Sequence, residues 1–86
     1  MAIRDLSSLE KDRLEIKGGV MLQDVRSGGI AAQARIMPND VVTHINNKAV
    51  LNAEQFVQEV SELKKGNVAR VTLMRQGQRA IVGMRI

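Results

Sequence analysis

Turn-forming residues divide this chain into short segments, and that division limits the strands and helices it can build. Four turn signals each adjoin an apolar run and favour a reversal of the chain: Gly18-Gly19, Ser27-Gly28-Gly29, Asn46-Asn47 and Gln76-Gly77-Gln78. Pro38 stops the alanine-rich segment before it from extending as a helix. Most of the runs between these points are short, apolar and typical of β-strands.

Six apolar runs are predicted to be strands: residues 3–6, 20–25, 40–45, 49–50, 68–75 and 79–86. Three segments are predicted to be helical. The first runs from Ser7 to Leu14, where Ser7 and Glu10 have the spacing of a capping box, and the second is a short helix over residues 30–35. The third is amphipathic, begins after Asn52 and is closed by Lys64-Lys65-Gly66, with acidic residues early and basic residues late.

The order of these elements predicts a fold that is mainly β with capping helices. We expect a small antiparallel sandwich or partly open barrel with one long helix and one or two short ones. A chain of 86 residues buries only about 60 to 65% of the surface that its unfolded form exposes, which allows one modest core. Apolar residues make up 44% of the chain and include one Phe and no Trp or Tyr, so that core must be aliphatic. Residues 1–86 are therefore expected to form a single domain.

The chain lacks the residue patterns of an enzyme. His44 is the only histidine, and no Gly-x-Ser-x-Gly elbow surrounds any of the serines, so no catalytic residue is predicted. Strand alternation places the His44 side chain on the opposite face from Val41, Thr43 and Ile45. The chain has no cysteine and its aspartates are isolated, so no metal site is expected, and the glycine pairs match no phosphate-binding motif. We expect no cofactor.

The net charge of +4 makes an acidic partner worth considering. The basic residues are interspersed with acids along the chain, and aromatic side chains for base stacking are almost absent. This pattern argues against an acidic partner, and nucleic acid is not an expected one. The start of the chain has no signal-peptide pattern, and no run reaches the roughly 18 apolar residues of a spanning helix. We expect no membrane insertion and an internal fragment of a larger protein.

Three stretches together resemble the core signature of bacterial PDZ domains: residues 19–25, residues 28–32 and residues 39–47. The amphipathic helix and the Gly77 hairpin that follow match the same pattern, so the resemblance covers nearly the whole chain. The leading strand and helix resemble the second PDZ domain of Deg/HtrA-type serine proteases similar to DegQ and MucD. A PDZ adaptor of a tail-specific or intramembrane protease is the alternative parent.

The sequence departs from the PDZ pattern at three positions near the short helix. Ile30 stands where Pro is usual, Arg35 stands where Gly follows the helix, and Asn39 stands where Gly precedes Asp40. Asn39 tolerates a left-handed backbone, whereas Arg35 at its position implies either strain or an altered helix end.

The resemblance implies that the chain binds an extended peptide by strand addition, with the peptide lying between a strand and the long helix. Seven residues are predicted to contact the peptide: Met1, Ala2, Ile3 and Arg4 on the strand, and Ala53, Val57 and Val60 on the helix. Residues one, five and eight along the helix share a face, which leaves Phe56 and Leu63 nearer the core. The alternative that all five apolar helix residues only pack the core remains open.

The resemblance also implies a periplasmic parent that is a trypsin-like serine endoprotease, whose catalytic residues lie in another domain. The expected partners are C-terminal or unfolded peptides and other domains or subunits of the parent. In this family the loop that binds the peptide carboxylate immediately precedes the first strand, so a chain that begins at Met1 is expected to discriminate poorly between free and amidated peptides. Two roles stay open: a peptide receptor, and an assembly domain with an unoccupied groove.

Overall fold

The computed structural model describes residues 2–86, which form six strands and three helices. The strands are β1 Ala2–Asp5, β2 Val20–Asp24, β3 Val41–Ile45, β4 Lys48–Ala49, β5 Val68–Arg75 and β6 Gln78–Arg85. The helices are α1 Ser8–Leu14, α2 Ile30–Gln33 and α3 Ala53–Ser61. Each predicted element is present within a few residues of its expected bounds.

The strands form one antiparallel sheet in the order β1-β2-β3-β5-β6, and β4 pairs with β3 outside this path. The sheet is open, with β1 at one edge and β6 at the other, and it does not close into a barrel. The expected fold class, mainly β with capping helices, is confirmed. The openness of the sheet matters for function because an edge strand offers unpaired backbone groups.

Two tight turns have the left-handed backbone that their residues were expected to supply. Asn46 and Asn47 have φ of 51° and 69°, and Gln76 and Gly77 have φ of 52° and 78°. Two consecutive positive φ angles match the right-handed twist of a hairpin, as in two-residue primed turns. These turns place β4 beside β3 and β6 beside β5.

The long helix is shorter at its C-terminal end than predicted. α3 ends at Ser61, and Leu63 N donates to Val60 O at 3.1 Å in a tightened last turn. Lys64 and Lys65 therefore follow the helix, and its last turn contains no basic residue. The prediction that basic residues lie in the last turn of this helix is wrong. The apolar spacing extends to Leu63, but the helix itself ends at Ser61.

A β-bulge in β3 changes which side chains share a face. The register against β5 shifts between Val42 and His44, so Thr43 is an extra residue in the ladder. The prediction that His44 and Thr43 lie on opposite faces is wrong, since His44 Nδ1 lies 3.0 Å from Thr43 Oγ1. The bulge also lets Val42 and Ile45 both enter the core, although simple alternation separates them.

The core is aliphatic apart from Phe56, as the composition required. Its buried members come from four strands, from helices α2 and α3 and from the loops after α2 and β4: Val20, Leu22, Ala31, Ile36, Val42, Ile45, Val50, Phe56, Ala69, Val71, Leu73 and Met84. The core thus lies between one face of the sheet and helices α2 and α3, and it supports α3 in a position beside β1.

An ion pair between the buried Asp40 and the partly exposed Arg75 joins the loop after α2 to the end of β5. Asp40 is 2% exposed and accepts two hydrogen bonds from Arg75, from Nε to Oδ1 at 2.9 Å and from Nη2 to Oδ2 at 2.6 Å. Met37 N donates to Asp40 Oδ2 at 2.9 Å, and Arg75 Nη2 also donates to Arg35 O at 2.9 Å. The hydrogen bonds to the carboxylate raise the pKa of Arg75 above its usual value. The loop is therefore held by charge-assisted bonds.

Arg35 has a left-handed backbone with φ of 66°, at the position where the resemblance implies glycine. In the folded chain, this conformation costs a residue with a side chain about 1 to 2 kcal/mol. Glycine removes that cost, but its greater freedom in the unfolded chain disfavours folding by about 0.4 to 1 kcal/mol. We expect Arg35→Gly to raise the free energy of unfolding by up to about 1 kcal/mol, measured by urea denaturation. Arg13→Gly, the same change in helix α1, should instead lower it by about 1 kcal/mol. If Arg35→Gly lowered the free energy of unfolding, the prediction that the left-handed backbone of Arg35 is strained would be wrong.

Candidate functional site

β1 is an edge strand whose outward backbone groups can be assigned from its neighbours. Leu22 N donates to Asp40 O at 2.9 Å, so the peptide groups of Leu22 point away from β1. Along an antiparallel strand, the backbone N–H and C=O groups of successive residues point to opposite sides. The backbone groups of Met21 therefore point toward β1 and bond those of Arg4, its register partner. The N–H and C=O groups of Ile3 and Asp5 consequently face the open edge, where a further strand could pair with them.

The N-terminus of α3 is tied to the end of β1. Ala53 N donates to Asp5 Oδ1 at 2.6 Å, and Gln55 N donates to the side chain of the capping residue Asn52 at 2.9 Å. An aspartate at the start of a helix also complements the positive end of the helix dipole. These bonds hold α3 alongside the edge of β1.

Adjacent residues on α3 lie in opposite environments. Phe56 is 6% exposed and belongs to the core, whereas Val57 is 60% exposed. Ala53 and Val60 are partly buried and pack against the core from the same side of the helix as Val57. Ile3 on β1 is also partly buried against the core. The edge of β1 and this helix face lie side by side, joined by the bond between Ala53 and Asp5, and we call the space between them the trough.

An apolar cavity of about 400 Å³ adjoins Val60, at the far end of α3 from Asp5. Most of its wall is contributed by side chains of α2 and β6: Ile30, Ala31, Met84 and neighbouring Ile86. Arg26 lines the same cavity and brings the positive charge of its guanidinium. The cavity can accept a large apolar side chain at that end of the trough.

The opposite side of β1 is secured to α1 by an ion pair. Arg4 donates to both carboxylate oxygens of Glu10, at 2.8 and 2.7 Å. Glu10 also completes the predicted capping box, accepting from Ser7 N at 2.9 Å while Glu10 N donates to Ser7 Oγ at 3.2 Å. The bonds from Arg4, followed by the one from Ser7, lower the pKa of Glu10 to about 2.

Five of the seven predicted contact residues lie on the two elements beside the trough. Ala2 and Ile3 lie on β1, and Ala53, Val57 and Val60 lie on α3. The side chain of Arg4 is bonded to Glu10, and its backbone faces β2. Met1 lies outside the described residues. Asp5 was missed, because its role depends on a contact with α3 across 48 positions of the chain, which no local pattern signals.

No catalytic or metal site is apparent in the part of the chain that the structure describes. Among the hydrogen bonds of residues 2–86, the side chain of His44 is paired only with Thr43 Oγ1. Within the same residues, no three His, Asp or Glu side chains are grouped to hold a metal ion. None of the described helices has the length and hydropathy to cross a membrane. The open trough is the feature of this fold that suits a binding function.

An open antiparallel sheet with an apolar trough between its edge strand and a helix is typical of peptide-binding domains that work by strand addition. The sequence profile of the family described as PDZ domain matches residues 4–83. The chain therefore belongs to the PDZ domain family, and its matched residues are a non-catalytic domain.

Curated relatives match over the full length of the chain. It is 33% identical over 86 residues to a probable periplasmic serine endoprotease DegP-like of Pseudomonas putida strain W619. It is 40% identical over 86 residues to a protein of the same description from Hahella chejuensis. In both cases the match covers 100% of this chain and 18% of the relative.

Solved structures share the fold. The HtrA-type protease AlgW with a decapeptide matches with a TM-score of 0.81 and 19% identity, over 96% of this chain and 26% of that protein. The HtrA3 PDZ domain bound to a phage-derived ligand (FGRWV) matches with a TM-score of 0.82 and 13% identity, over 99% of this chain and 79% of that one. The serine endoprotease from Yersinia pestis matches with a TM-score of 0.73 and 27% identity, over 96% of this chain and 28% of that protein.

Proposed function

We propose that the trough between β1 and α3 binds an extended peptide segment by strand addition. The open edge of β1 beside the exposed Val57 is the observation that carries this proposal. A peptide strand would pair with the backbone groups of Ile3 and Asp5. Its alternate side chains would cover Val57 and reach the cavity beside Val60, which suits an apolar residue at one end of the peptide.

The proposal extends to the parent protein. The chain is one domain, spanning residues 1–86, of a periplasmic serine endoprotease of the Deg/HtrA type, and catalysis takes place in a different domain. The similarity to DegP-like proteins along the whole chain supports this placement. In such a parent the trough recruits C-terminal or unfolded segments of substrates, or it holds a segment of another subunit during assembly.

The trough is tested by placing a charge in it. Val57→Glu should weaken binding of a labelled peptide that ends in a free C-terminal valine by at least about tenfold, because covering a Val side chain contributes about 1.5 to 3 kcal/mol and a buried carboxylate must lose water. Fluorescence anisotropy measures the affinity. The melting temperature should change little, since Val57 is 60% exposed.

Gln58→Glu is the matched control. It adds the same charge at the next position of α3, where the exposed side chain points away from the trough, and it should leave the affinity unchanged. Equal weakening by both variants would show a general effect of helix charge and would contradict binding in the trough. Unchanged affinity in Val57→Glu would contradict it as well.

A further inference from the structure

The second edge of the sheet, β6, also presents free backbone groups. β6 pairs only with β5 among the described residues. Ile86 N donates to Asn67 O at 2.9 Å, and at the other end a two-residue turn joins the paired residues Arg75 and Gln78. Because bonded positions alternate, the even-numbered residues of β6 bond β5, and the peptide groups of residues 79, 81, 83 and 85 point outward.

Three of these four residues also have exposed side chains. They are Arg79, Ile81 and Arg85, which lie on the outer face of the sheet, and Gly83 lies between the last two. Ile81 is 61% exposed, whereas Met84, whose side chain lies on the other face of β6, is buried in the core. An added strand would therefore place its own alternate side chains directly beside two arginines and one isoleucine.

A hollow of about 430 Å³ lies on this face. Val68, Ile81 and Gly83 contribute to its walls, together with Arg70. The side chain of Val68 lies close to the backbone of Gly83, since a Cβ at Gly83 would be 3.2 Å from Val68 Cγ1. Val68 is also 59% exposed, so an aliphatic side chain of an added strand could pack against it.

The charge of the molecule is concentrated in this part of the chain. Residues 63–86 contain six basic residues and no acidic one, while residues 1–62 contain seven basic and nine acidic residues. The net charge of +4 therefore arises entirely from the C-terminal segment. The expectation that acids are interspersed throughout was wrong for these residues, and with it the argument against an acidic partner.

We infer that the outer edge of β6 is a second strand-addition site, which binds an extended acidic segment of a protein. Two acidic residues six positions apart would lie opposite Arg79 and Arg85. Two aliphatic residues between them, at alternate positions, would cover Ile81 and the exposed side chain of Val68. The free peptide groups supply the backbone bonds, and the charges select the partner.

Two other occupants fit this edge less well. Antiparallel pairing with a second copy, centred on residue 82, would place Arg79 opposite the Arg85 of that copy, and like charges directly opposite are destabilising. Nucleic acid would find no aromatic side chain for stacking on this face, because the single Phe56 is buried.

The probe is a nine-residue peptide with both ends blocked, so that it has no terminal carboxylate. Two glutamates six positions apart flank an alternating leucine and valine, and threonine occupies the other positions. Amide NMR spectra recorded during titration should shift at residues 79–85 and not at residues 53–60. The Arg79→Glu/Arg85→Glu variant should bind at least about tenfold more weakly, since two attractive cross-strand pairs become repulsive.

Two controls address charge alone. Lys11→Glu/Arg13→Glu makes the same change of net charge on helix α1, which is bonded to β1 at the opposite edge of the sheet, and should bind normally. A peptide with glutamine for both glutamates should bind weakly. An equal loss of peptide affinity in the two double variants, or amide shifts confined to β1 and α3, would overturn the inference. Neither result would contradict peptide binding in the trough. Tighter binding of a single-stranded oligonucleotide, or no binding of the acidic peptide to the unaltered chain, would also overturn it.

Discussion

Phe56→Ala should lower the free energy of unfolding by about 3 to 5 kcal/mol, because it removes the single aromatic side chain from the core and leaves a cavity. Phe56 is 6% exposed and lies on the buried face of α3. The free energy of unfolding of a small domain is about 5 to 15 kcal/mol, so this change removes a large fraction of it. Urea denaturation at equilibrium measures it.

Val57→Ala is the natural comparison, since Val57 is the next residue and is 60% exposed. Its effect should stay within about 0.5 kcal/mol, as is usual for surface substitutions. If Val57→Ala were the costly change and Phe56→Ala the silent one, the assignment of the two helix faces would be reversed and the trough could not lie where we place it.

Arg75→Met should lower the free energy of unfolding by about 3 kcal/mol, because it leaves the buried carboxylate of Asp40 without its charged partner. Methionine retains much of the apolar stem of arginine, so the change isolates the loss of the guanidinium. Asp40 would keep only the bond from Met37 N. The measurement is again equilibrium denaturation in urea.

Arg79→Met is the matched control for Arg75→Met. It makes the same substitution on the neighbouring strand, at an exposed arginine, and should cost less than about 0.5 kcal/mol. Replacing both members of the pair, as Asp40→Leu/Arg75→Met, should recover much of the lost stability because no buried charge remains. Similar losses for Arg75→Met and Arg79→Met would mean that the ion pair does not stabilise the loop.

Local features were predictable because they depend on neighbouring residues. The capping box of Ser7 and Glu10 and the hairpins at Asn46-Asn47 and Gln76-Gly77 formed as the sequence indicated. The two environments of Phe56 and Val57 also followed from the helical period, which is a local property. The composition determined in the same way that the core would be aliphatic.

The tertiary structure decided the features that depend on distant contacts. The bulge at Thr43 arises from the register against β5, and the bond of Asp5 to Ala53 and the pair of Asp40 with Arg75 join segments far apart in the chain. The sequence by itself determined the elements, their order and the apolar character of the core. Only the folded sheet decided which strands are edges, because strand pairing is a long-range choice, and those open edges are where this protein can bind.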